Sequence, residues 1–106
     1  MSSHSDAHHS RFLRMLGLSV RLARVERAWT QERLGILAGL ERTYIGAIER
    51  GERNVGICNV VQLAGALGLP LSELIHRAER LQGLHDQETS KRATLPPAVG
   101  SVSLGQ

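Results

Sequence analysis

Apolar residues in the middle of the chain recur three and four positions apart, and no stretch alternates apolar and polar residues long enough to predict a strand. Over about Arg11–Arg27 this spacing predicts a first helix with Leu18, Leu22 and Val25 on one face, extended backwards by Phe12, Met15 and Leu16. Gly17 weakens its middle, because glycine is a poor helix former. Thr30 is a good N-cap for a second helix that carries Leu34, Leu37 and Ala38. Gly39 follows, where a left-handed residue is wanted to end it. A third helix, about Glu41–Arg50, turns Glu41, Tyr44, Ile45 and Ile48 inward and is stopped by Gly51. A fourth, about Ile57–Leu67, points Val60, Val61, Ala64 and Leu67 inward and ends at Gly68. Pro70 precedes a fifth, about 71–81, anchored by Leu71, Leu74 and Ile75. Each helix is too short to be stable alone. The expected fold is therefore all-α, a compact five-helix bundle with flexible tails at both ends.

Composition supplies the limits. A chain of 106 residues holds one core plus tails. Residues 1–10 are polar and His-rich and read as a disordered arm; residues 11–81 carry nearly all the aliphatic side chains and form the domain. Residues 82–106 become polar and then rich in Pro, Gly and Ser, which predicts a flexible tail. The aromatics are Phe12, Trp29 and Tyr44 alone, so the core must be aliphatic. One cysteine, Cys58, excludes an intrachain disulfide and a multi-Cys zinc site. His4, His8 and His9 lie in the arm without a scaffold, so no metal site is expected there. No nucleophile–base constellation, phosphate-cradling glycine loop or paired acids is present, and neither an enzyme nor a cofactor is expected. No run approaches the ~20 apolar residues of a membrane span, and the N-terminus lacks a signal core, so the expected compartment is the cytoplasm. Twelve of the thirteen cations are Arg, which favours planar, bidentate contacts with phosphate or carboxylate. A net charge of +3 is too small to establish a nucleic-acid partner by itself.

The informative stretch is Thr30–Asn54, TQERLGILAGLERTYIGAIERGERN. Two short helices flank a turn containing Gly39, which is the helix-turn-helix arrangement, with the second helix free for the major groove. Helical phase places Arg42, Thr43, Gly46, Ala47 and Arg50 on the face away from Tyr44, Ile45 and Ile48. Arg42 can donate a bidentate pair to guanine O6 and N7, and Thr43 can meet a base edge or a thymine methyl. Gly46 and Ala47 lack bulk, so the helix could approach the bases closely. Gln31, in the first turn of the second helix, suits a phosphate oxygen, and Arg50, Arg53 and Asn54 could clamp backbone phosphates beyond the third.

The segments RLARVERAWTQERLGILAGLERTYIGAIERGERN and NVVQLAGALGLPLSELI together resemble the lambda-repressor/Cro-type (XRE) helix-turn-helix family of DNA-binding regulators, over about Leu18–Leu81. The resemblance implies phosphate contact by Gln31, base-facing roles for Arg42, Thr43, Gly46 and Ala47, and backbone contact by Arg50. It also implies an internal ion pair between Arg24 and Glu49. Gly35 departs from the family's usual Ala, which should loosen the second helix, and Val55 stands where Pro is common.

The function expected is sequence-specific binding of double-stranded DNA by a dimeric transcriptional regulator, repressor-like, on a palindromic operator. One small domain reads few base pairs, so useful specificity needs two copies. Leu74, Ala78 and Leu81 are one candidate dimer surface and the Phe12–Leu16 extension is another. The alternative is an antitoxin or other interaction module of the same fold, meeting a protein partner through the C-terminal tail.

Overall fold

A computed structural model describes residues 3–94, with side chains described for residues 9–88. The helices are α1 (Ser3–Glu26), α2 (Gln31–Ala38), α3 (Arg42–Glu49), α4 (Ile57–Leu67) and α5 (Leu71–Thr94), and the described residues contain no strand. No single helix among them is long and apolar enough to cross a membrane.

The long helices α1 and α5 pack most extensively on each other, α2 lies on α3 and α4, and α3 lies across α1. Their shared core takes Leu16, Val20 and Ala23 from α1, Leu34 and Ala38 from α2, and Ile45 and Ile48 from α3. Val60, Leu63, Ala64 and Leu67 of α4 and Leu74 and Ala78 of α5 complete it. Burying each of the larger aliphatics stabilises the fold by about 1.5–3 kcal/mol. That tertiary burial is what holds eight-residue helices such as α2 and α3 in place.

Several inward assignments differ from the observed ones. Leu22 and Val25 are exposed, and the buried stripe of α1 is Leu16, Val20 and Ala23. Both sets satisfy the helical period. The side that turns inward is the one bearing small residues, which lets another backbone come close. Leu37 of α2 and Val61 of α4 are also exposed, and Leu63 of α4, not among the expected positions, is buried. Glu41 is exposed and serves as the N-cap position of α3 without a side-chain capping bond. Leu74 and Ala78, considered for a dimer surface, are fully buried within the chain's own core, as Leu16 nearly is.

The helix limits differ as well. α1 begins at Ser3 and α5 reaches Thr94, so the expected boundaries at residues 10 and 82 fall inside continuous helices. Polar composition says that a segment is solvated, not that it is non-helical, and neither stretch holds a proline to stop the helix. Residues 95–106 of the expected tail lie outside the described residues.

Two glycines act through what they lack. A Cβ on Gly17 would overlap the carbonyl oxygen of Ile48 and stand 2.8 Å from that of Glu49, so α1 and α3 cross with their backbones in contact. Gly17 is thus the crossing point and not merely a weak place in α1. Gly35, expected to loosen α2, is buried, and a Cβ there would lie 2.5 Å from the Leu40 carbonyl oxygen. Between α1 and α2, Ala28 has φ of 59°, a left-handed conformation that costs a non-glycine residue about 1–2 kcal/mol. The turn is closed by the Trp29 N–H donating to the Arg24 carbonyl at 3.2 Å and the Ala28 N–H to Val25 at 2.9 Å.

Candidate nucleic-acid interface

The α2–turn–α3 unit is set by local chemistry. Thr30 Oγ1 accepts the Arg33 N–H at 3.0 Å and satisfies one of the unpaired amides at the start of α2. Gly39, with φ of 73°, ends α2 in the left-handed region, and the Leu40 N–H returns to the Gly35 carbonyl at 2.8 Å. The chain then reverses into α3, whose Ile45 and Ile48 are held in the core.

Behind α3 stands an ion pair. Arg24 Nε meets Glu49 Oε2 at 2.7 Å and Arg24 Nη2 meets Oε1 at 3.0 Å. The third arm, Nη1, donates to the Trp29 carbonyl at 2.7 Å, tying the α1–α2 turn to the same guanidinium. The side chains are 12% and 3% exposed, so the bridge is largely dry and its bidentate geometry is what makes its burial tolerable. The hydrogen bonds to Glu49 push the Arg24 pKa above its already high value. Glu49 Oε1 also accepts from Gln31 Nε2 at 3.0 Å. A carboxylate only accepts, so it fixes which end of the Gln31 amide faces it and leaves the amide oxygen turned away.

The opposite side of α3 is open. Arg42 and Thr43 are exposed, Ala47 is half-buried, and Arg50, Arg53 and Asn54 are exposed at and beyond the C-terminal end. Gly46 departs from the expectation of a base-facing position, because it is buried. A Cβ on it would lie 3.2 Å from Arg50 Nη1 and 3.4 Å from Gln31 Oε1. Gly46 forms the floor on which these two polar side chains lie. Gln31 is half-buried between Glu49 and Gly46.

The flanking cations are held in different ways. Arg50 Nε bonds Glu52 Oε2 at 2.9 Å, which raises the Arg50 pKa and lowers that of Glu52. Both groups are well exposed, so the pair is worth little to stability. The Arg53 guanidinium lies 4.8 Å from the centre of the Tyr44 ring, a cation–π contact. The Tyr44 hydroxyl accepts from Asn59 Nδ2 at 3.0 Å, linking α3 to α4. Among the described residues, no group of three His, Cys, Asp or Glu side chains is placed to hold a metal. His4 and His8 lie outside the residues with described side chains.

A two-helix unit with a left-handed turn, a buried backing and an open, arginine-bearing face defines a helix-turn-helix protein. Residues 20–74, just over half of the chain, match the helix-turn-helix family, and the chain belongs to it. Control protein C.SmaI of Serratia marcescens is 39% identical over 74 residues, covering 70% of this chain and 83% of that protein. A Neisseria meningitidis protein described as a hypothetical transcription factor is 39% identical over 61 residues, but the match spans only 58% of its length. Among solved structures, the restriction-modification controller protein C.AhdI of Aeromonas hydrophila superposes with a TM-score of 0.57 at 42% identity, covering 58% of this chain and 94% of that one. The controller protein C.Esp1396I, solved as a tetramer in complex with its natural 35 base-pair operator, has a TM-score of 0.57 at 30% identity over 63% of this chain and 93% of that one.

Proposed function

We propose that this chain is a sequence-specific, double-stranded DNA-binding transcriptional regulator that works as a dimer, with α3 in the major groove. The observation that carries the reading is the exposed pair Arg42 and Thr43 at the start of a helix whose other side is locked by Arg24 and Glu49. Arg42, Thr43 and Ala47 face the bases; Gln31, Arg50, Arg53 and Asn54 meet phosphates. Gly46 has no base contact in this arrangement and instead lies beneath Gln31 and Arg50. The relatives support the class: they are named as control proteins and transcription factors, and one controller is solved on its operator. Those names lend the antitoxin alternative no support.

A two-fold dimer places its reading helices about one DNA turn apart, near 34 Å, and so selects a palindromic operator. Selection of bound duplexes from a random pool, at stated salt, tests this. A palindromic consensus with half-sites about one turn apart is expected. Retention without sequence enrichment would contradict specific reading, and a single unpaired half-site would contradict the dimer.

A further inference from the structure

The end of α3 is bordered by a cation that lies far from the helix-turn-helix unit in the sequence. α1 runs across the C-terminal end of α3 because Gly17 permits backbone contact at Ile48 and Glu49. One turn earlier on α1, Arg14 lies against Gly51: a Cβ on Gly51 would be 2.7 Å from Arg14 Cγ and 2.8 Å from its Cα. Gly51 directly follows Arg50, the cation assigned to the DNA backbone. The side chain of Arg14 is exposed and makes no hydrogen bond or ion pair among the described residues. Its neighbour Arg50 is already engaged by Glu52 at 2.9 Å, and Arg53 rests on Tyr44. Among the described residues, Arg14, unlike Arg50 and Arg53, has no counter-charge or ring to hold it.

We infer that Arg14 of α1 is a further phosphate contact, extending the DNA-binding surface from α2 and α3 onto α1 at the C-terminal end of the reading helix. This rests on the placement of α3 in the groove proposed above. An exposed guanidinium on a long stem can reach a phosphate oxygen from beside Arg50 and pair with it bidentately. Such a contact adds counterion release and no sequence information. The competing role is purely local: a cation near the last carbonyls of α3, favoured by the helix dipole. That role would affect folding and leave the salt dependence of DNA binding alone.

The test measures affinity of the full chain for its selected operator and for an unrelated duplex across a salt series. The variants are Arg14→Gln and Arg14→Lys, with circular dichroism reporting the fold. In wild type, log affinity falls linearly with log salt, by about 0.9 per phosphate neutralised. Arg14→Gln is expected to flatten that slope by about 0.9 per bound protomer and weaken both duplexes by the same factor, whereas Arg14→Lys keeps the wild-type slope. A wild type that binds and an Arg14→Gln variant of equal slope would overturn this assignment alone. An Arg14→Lys slope as flat as that of Arg14→Gln would also overturn it, and this outcome does not depend on Gln being tolerated. A wild type that retains no duplex at any salt would overturn both this assignment and the function on which it rests.

Discussion

The two sides of α3 follow opposite rules. On the inner side, Ile45 and Ile48 are buried, the backbone touches Gly17 of α1, and Glu49 is held by both Arg24 and Gln31. On the outer side, Arg42 and Thr43 are exposed and Arg50 has only a solvent-exposed partner. The inner side sets where the helix is; the outer side leaves long, solvated side chains free to meet whatever enters. Changes behind the helix should therefore appear as lost stability, and changes in front as altered DNA recognition at unchanged stability.

The largest effect is expected from Arg24→Ala. It strands the Glu49 carboxylate, 3% exposed, without its cation, and should cost about 3–5 kcal/mol of stability in urea unfolding. A loss below about 1 kcal/mol would mean that the pair behaves as a surface bridge. Gly17→Ala comes next. Alanine is the better helix former by about 1 kcal/mol, but its methyl would meet the Ile48 backbone, which cannot swing aside. A net loss of about 1–3 kcal/mol is expected, and a gain would show that α1 and α3 stand farther apart. Ala28→Gly should move stability the other way, by about 0.5–1 kcal/mol, because glycine adopts positive φ without strain although it also gains freedom in the unfolded chain. Its DNA preference should match that of wild type in duplex competition. A loss of stability there would contradict the left-handed turn.

The five helices were legible because their apolar spacing and terminators agree: Thr30 caps α2, and Gly39 and Gly68 take the left-handed conformation that ends α2 and α4. The open placement of Arg42, Thr43 and Arg50 followed from the 3.6-residue period alone. What was hidden depended on a second element. Helical period cannot choose between Leu18–Leu22–Val25 and Leu16–Val20–Ala23, since the choice is made by which face another backbone can approach. Gly46 looked outward by phase, and its burial comes from Gln31 and Arg50 lying over it. Arg14 carries no local signal at all; its place beside Gly51 exists only because α1 crosses α3 at Gly17. The helical stretches Ser3–Ser10 and Gln82–Thr94 were hidden for another reason, since polar composition does not distinguish a solvated helix from a solvated coil.

The most direct test of the central claim compares Arg42→Ala with wild type for affinity to the selected operator and to a scrambled duplex at one fixed salt concentration. If Arg42 reads a base, its removal should lower the operator-to-scrambled ratio by about 1–3 kcal/mol per contacted pair, while affinity for scrambled DNA and unfolding stability stay close to wild type. An unchanged ratio, with the operator still bound as tightly as before, would contradict the assignment of this face of α3 to the bases.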